Sequence, residues 1–154
     1  MTISNVLLSA AAGRLDVERG PAAYALGLAA SFRAHLTGVV FEPDVYAPAV
    51  LDPAAAAEAR EAAEARRRAT AACADKLREA ASRVGVSVEV VTDDVLAYGI
   101  PAGVADHARL NDVTVAGVDP SGLLSEREIA EHVLFASGRP LIIVPADQRR
   151  GFAC

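Results

Sequence analysis

The stretch AGVDPSGLLSEREIAEHVLF, residues 116–135, carries the residues closest to a phosphate-binding pattern in this chain. Gly117 and Gly122 have the Gly-x4-Gly spacing that opens a P-loop, in which glycine backbone N–H groups turn inward onto phosphate. The pattern then fails. Leu123-Leu124 stands where a lysine would meet the phosphates and a Ser or Thr hydroxyl would hold magnesium. Other chemistry is no better served. Asp93-Asp94 could be offered as general acid and base, but neighbouring carboxylates on an extended chain point to opposite faces, so the pair reads as a solvated turn with Tyr98 as a packing residue. His35, His107 and His132 occur singly on different elements, without metal-ligand spacing. Cys73 and Cys154 form neither a CxxC nor a disulfide framework, which suits a reducing cytoplasm. The GxSxG, GxGxxG and HExxH patterns are missing from the sequence, so no enzymatic activity is expected.

Charge narrows the partners. The net charge of −5 and the lack of a basic stripe argue against nucleic-acid binding. The one basic cluster, Arg66-Arg67-Arg68, follows Glu58, Glu61 and Glu64, and on a helix Glu64 faces Arg67 and Arg68 as an ordinary solvated arrangement. No segment is long and apolar enough to be expected in a membrane. The run Val6-Leu7-Leu8-Ser9-Ala10-Ala11-Ala12 has no basic residue before it and reads as a buried strand, not a signal core. A cytoplasmic protein is expected.

Elements that could position these residues alternate between apolar β-rich runs and helical stretches, the order of an α/β domain with a mainly parallel sheet. Five strands are expected: Ile3 to Ala10, Leu36 to Phe41, Val86 to Val91, Val113 to Gly117 and Leu141 to Val144. Each is nearly unbroken in apolarity, as strands covered on both faces are. The first helix is expected from Val17 to Ala34, capped by Asp16, with Leu26, Leu28, Ala29 and Phe32 on the sheet. Asp52-Pro53 supplies a cap and an N1 proline for a helix over Ala54 to Val84, about 46 Å long and partly projecting beyond any sheet of this size. Gly85 ends it. Gly99-Ile100-Pro101 separates the third strand from a short helix, Gly103 to Leu110. Ser125-Glu126-Arg127-Glu128 fits a capping box for the fourth helix, which Gly138 closes. Residues 1–146 read as one domain and 147–154 as a C-terminal tail.

Several of these segments, in order, resemble the universal stress protein family. Gly99-Ile100-Pro101-Ala102 resembles its G-x-P-A turn, Asn111-Asp112-Val113-Thr114-Val115-Ala116-Gly117 its A-D-L-I-V-M-G strand, Ala130-Glu131-His132-Val133-Leu134 its A-E-x-V-L helix, and Pro140 to Val144 its closing C-P-V-L-V-V strand. The resemblance implies a Rossmann-like five-stranded parallel sheet of order 3-2-1-4-5, helices on both faces, of the adenine nucleotide alpha hydrolase type. It also implies a homodimer through the edge strand 141–144, whose apolar, unpaired backbone needs a cover.

The family divides into ATP-binding and non-binding members, marked by G-x2-G-x9-G-S/T. Here Gly117 matches the first glycine, Pro120 falls on the second, and, with the loop about three residues short, the alignment of the following helix puts Arg127-Glu128 on the final Gly-Ser. Ala11 stands where many members carry an aspartate near the adenine. Proline removes a donor and fixes φ, Asp119 would repel a triphosphate, and Glu128 tied into a capping box would hold the helix N-terminus against an anion. The expected function is therefore that of a non-catalytic stress-response or regulatory dimer without tight ATP binding. The alternative is an adenine-nucleotide switch binding ATP or AMP at the carboxyl ends of strands 1 and 4. That site would be built from Gly117, Ser121, Gly122, Arg127, Val40 and Ala11.

Overall fold

Val6, Leu7 and Leu8 are consecutive and all fully buried. Consecutive strand residues face opposite sides, so such a strand must be covered twice. The computed structural model, which describes residues 2–42, 52–92, 99–118, 126–149 and 151–152, meets that requirement by placing the first strand in the middle of the sheet. The elements run β1 (Asn5–Ala11), a 3-10 turn (Ala12–Arg14), α1 (Gly20–Phe32), β2 (His35–Phe41), α2 (Pro53–Arg83), β3 (Val88–Thr92), α3 (Ile100–Arg109), β4 (Val113–Ala116), α4 (Glu126–Ala136) and β5 (Leu141–Ile143). All pairings are parallel and the order is β3-β2-β1-β4-β5, as expected.

The two faces are distinct cores. Val6 and Leu8 of β1 share one cluster with Ala25, Leu28 and Ala29 of α1 and Leu77, Ala80 and Ala81 of α2. Leu7 lies in the other, with Val39 and Phe41 of β2, Val104 and Ala108 of α3, and Ile129 and Val133 of α4. A small residue in β2 makes the first contact close: a Cβ on Gly38 would stand 2.5 Å from Leu77 Cδ2.

Local signals and structure differ at two helix starts. Asp16 does not cap α1. Its Oδ1 accepts from the Glu18 N–H at 2.9 Å and its Oδ2 pairs with Arg19 Nε at 2.9 Å, so its carboxylate organises the turn before the helix. The helix itself begins at Gly20, whose φ of +66° is a left-handed conformation that glycine adopts without steric cost. Leu26, Leu28 and Ala29 are buried as expected, whereas Phe32 is 39% exposed and meets Phe152 instead of the sheet. The short helix α3 starts at Ile100, not Gly103. Pro101 sits in its first turn, where no intrahelical N–H is needed, and the Gly99 carbonyl accepts from the Gly103 N–H at 3.0 Å.

Other boundary signals act as expected. Asp52 caps α2 by accepting from the Ala54 N–H at 3.2 Å, and Gly85 and Gly138 follow the ends of α2 and α4 with φ of +71° and +67°. The buried residues of α2 are Thr70, Ala74, Leu77, Ala80 and Ala81, so its first half projects past the sheet. Ser125 of the expected capping box, and Asp93, Asp94 and Tyr98, lie outside the described residues.

After β5 the chain turns back across α1. The Val144 N–H donates to the Ala116 carbonyl at 2.9 Å, and the Gln148 carbonyl accepts from the Gly20 N–H at 2.8 Å. Phe152 then stands edge-on to Tyr24, with ring centroids 5.5 Å apart. This crossing explains a glycine in mid-helix, a choice that costs about 1 kcal/mol relative to alanine. A Cβ on Gly27 would stand 2.6 Å from the Phe152 carbonyl oxygen.

One carboxylate ties the start of β1 to the start of β4. Asp112 Oδ2 accepts from the Ser4 and Asn5 N–H groups at 2.8 and 2.9 Å, while its own N–H donates to the Asn5 carbonyl at 2.9 Å. The Ser4 bond, then the Asn5 bond, hold the Asp112 carboxyl below its usual range, with Arg139 adding to the effect.

Leu77→Ala should cost about 2–5 kcal/mol in urea denaturation, the range for emptying a buried leucine site, whereas Glu61→Ala on the projecting half of α2 should stay within about 0.5 kcal/mol. A lowered carboxyl pKa contributes stability that is present above the unfolded value, near 3.9, and lost as pH falls through the folded one. Asp112→Ala should therefore lower the urea midpoint at pH 7, and its gap from the wild type should close below about pH 4. A gap that persists unchanged to pH 2 would assign the effect to packing and not to the charge.

Candidate functional site

The switch point of the sheet lies between β1 and β4. The chain leaves β1 toward α1 and β2 on one side, while β4 pairs on the other, so the two connections diverge at the carboxyl ends of the strands. Ligands of doubly wound sheets bind in the crevice so formed. Here it is walled by Ser9, Ala10 and Ala11 at the end of β1, by Arg14 at the end of the 3-10 turn, by Leu15 and Asp16 after it and by Pro21 of α1. Gly117 after β4, Glu126 of α4 and Ala146 after β5 complete it. Cys73 of α2 fixes the turn from below, its Sγ donating to the Ala12 carbonyl at 3.1 Å.

The protein's own side chains occupy this crevice. A Cβ on Gly117 would stand 3.1 Å from Pro21 Cγ and 3.2 Å from Glu126 Oε2. The space left by the glycine thus receives a proline ring and a carboxylate. Glu126 is the first residue of α4, where the helix dipole favours negative charge, and its side chain is only 16% exposed. Arg14, from the opposite wall, reaches to 3.9 Å of Glu126 Oε2. The remaining volume is about 30 Å³, room for a water molecule. Small-molecule pockets usually run to about 300–1,000 Å³.

Of the residues expected at a nucleotide site, Gly117 and Ala11 line this crevice. Val40 is fully buried in β2, its register partners being Ala10 of β1 and Thr92 of β3, and it packs in the core shared with α1 and α2. Arg127 donates from Nε to Glu131 Oε1 at 2.8 Å along the solvent side of α4, with 72% of its side chain exposed. That hydrogen bond, then the charge of Glu131, raises the Arg127 pKa further. Ser121 and Gly122, like Asp119 and Pro120, lie outside the described residues.

Sequence reasoning missed Glu126 and Arg14. The capping-box pattern drew attention to Glu128, two positions on, and nothing local signals that Arg14 faces the fourth helix across the sheet. The one available cue was that two acids, Glu126 and Glu128, enter the first turn of α4. Among the described residues no three His, Cys, Asp or Glu side chains gather as a metal-binding group, and no helix is long and apolar enough to cross a membrane.

A parallel sheet with its crevice at the β1/β4 switch point defines the class: a doubly wound, Rossmann-like α/β domain. No protein-family model matches the sequence and no curated protein matches it. Solved structures do match. The universal stress protein UspA from Lactobacillus plantarum is 18% identical, covers 94% of this chain and 99% of its own, and superposes with a TM-score of 0.60. The universal stress protein from Archaeoglobus fulgidus, solved in complex with dAMP, is 16% identical over 94% and 99% of the two chains, TM-score 0.56. A universal stress protein solved in complex with cAMP is 16% identical over 96% and 100%, TM-score 0.54. The chain therefore has the universal stress protein fold, over nearly its whole length.

Proposed function

We propose that this protein is a non-catalytic regulatory protein of universal stress protein type that acts in the cytoplasm as a homodimer and does not bind ATP tightly. The observation that carries this reading is Glu126: its carboxylate lies over Gly117, at the N-terminus of α4, where a nucleotide phosphate would need to be. A triphosphate would have to displace a carboxylate already held by the helix terminus and approached by Arg14. In the sequence that follows Gly117, Asp119 would add negative charge and Pro120 lacks an N–H to donate.

Support for the dimer lies at the free edge of the sheet. β5 is three residues long, Ile143 is 54% exposed, and α4, which packs against β5, presents Leu134 and Phe135 at 51% and 83% exposure. Such an edge in a soluble protein calls for a partner or a cover. Pairing of β5 with its counterpart in a second copy is isologous and would satisfy both edges at once. Native mass spectrometry should show a dimer at micromolar concentration, and Ile143→Asp should convert it to monomer. A wild-type monomer under those conditions would overturn the proposed assembly.

The second reading is a nucleotide switch at the same crevice, favoured by the fold neighbours solved with dAMP and cAMP. Calorimetric titration separates the two. Wild-type protein should give no binding heat with ATP or AMP in magnesium buffer at ligand concentrations up to about 1 mM, which sets ΔG weaker than about −4 kcal/mol. Glu126→Ala should bring binding into the measurable range by removing the competing carboxylate. Micromolar binding by the wild type, or adenine nucleotide retained through purification, would make the switch the correct reading.

A further inference from the structure

The segment after β5 does more than end the domain. Ala146 lines the crevice, and its carbonyl oxygen would stand 3.0 Å from a Cβ on Gly20. Two residues later the Gln148 carbonyl takes the Gly20 N–H at the start of α1, a helix whose N-terminus has no side-chain cap and no acidic residue in its first turn. The segment thus occupies the end of α1 that borders the crevice, and it supplies the acceptor the helix lacks. Further on, Gly151 approaches the Ala23 carbonyl, and Phe152 lies over Gly27 with its ring against Tyr24 and Phe32.

The attachment is specific and also light. It is specific because Gly27, in the middle of a helix, leaves no room for a Cβ beneath the Phe152 backbone, with 2.6 Å to the carbonyl oxygen and 3.0 Å to the nitrogen. It is light because Pro145, Ala146, Asp147, Arg149 and Gly151 are exposed, while Gln148 and Phe152 are half-buried. Segments with few buried apolar contacts open at low free-energy cost relative to the core. Phe152 is the aromatic anchor of this segment, beside the Gln148–Gly20 hydrogen bond.

We propose that residues 145–149, with Gly151 and Phe152, form a latch on the crevice. Seated on Gly27, Phe152 holds Ala146 and the Gln148 carbonyl across the N-terminal end of α1, and its release opens the crevice to an adenine nucleotide. The inference rests on the reading of the crevice as a nucleotide site closed by the protein itself, and it adds the element that closes it from the α1 side.

Two full-length variants test it from opposite sides of the contact. Gly27→Ala places a methyl where the Phe152 backbone lies and leaves α1 with a better helix former, while Phe152→Ala removes the anchor. Hydrogen exchange read by mass spectrometry should show peptides covering 145–149 and the Gly20 amide exchanging at least about tenfold faster in both variants, with β1 and β4 unchanged. Titration with ATP and AMP in magnesium buffer should show affinity at least about tenfold higher than the wild type in both. Faster exchange with affinity unchanged from wild type, or exchange unaltered in both variants, would overturn the latch. Tight binding by the wild type with no gain in the variants would overturn both the latch and the closed crevice, whereas tight wild-type binding that rises further in both variants would sink the closed crevice alone.

Discussion

Every other feature of this protein depends on β1 being buried on both faces. A strand reading Val-Leu-Leu in its middle cannot lie at an edge or have a solvated side without exposing large apolar area. Helices must therefore cover each face, and the strand must have a neighbour on either side. Leu8 pairs with Gly38 on one side and with Val115 on the other, so the chain has to build the sheet outward in both directions from β1. That growth in two directions creates the crevice. The location of the site follows from the burial of residues 6–8, before any residue of the site is considered.

What the crevice contains is set by a different constraint, the close approach at Gly117. A glycine after a switch-point strand can admit a ligand or admit the protein itself. Here Pro21 and Glu126 converge on it from two helices. The carboxylate is held where the α4 dipole and Arg14 both favour negative charge, so its position satisfies local electrostatics without any ligand. A phosphate would compete for the same favourable field, and would arrive with its own hydration to lose.

Legibility in the sequence divided along the line between local and distant causes. Strands announced themselves through unbroken apolar runs, and α2 through Asp52-Pro53, because the residues that decide those features are adjacent in the chain. Order in the sheet came from the resemblance of residues 99–102, 111–117, 130–134 and 140–144 to one family, and the structure has that order. Asp16 misled because the same carboxylate can cap a helix or bind a turn, and Gly20-Pro21 chose the turn. Phe32 misled because its partner is Phe152, at the other end of the chain. Glu126 was hidden for both reasons: a capping box that included its neighbour offered a local explanation, and Arg14 and Gly117 come from other elements. Pattern reading placed the crevice residues Gly117 and Ala11 but could not say that a side chain of the protein fills the space between them.

The crevice, the segment crossing α1 and the free edge of the sheet are physically continuous. Val144 follows β5 directly, and its N–H is bonded to the carbonyl of Ala116, the residue before Gly117. Two residues later Ala146 is a wall of the crevice, and Gln148 is bonded to α1. A change in the position of β5, such as pairing with a second copy would bring, has one hydrogen bond to cross before it reaches the backbone under Glu126. Coupling of this kind needs two discrete arrangements of the connecting element, which the seated and released forms of the proposed latch would supply. If β5 pairs with a second copy as proposed, the same short stretch of backbone joins that pairing to the wall of the crevice.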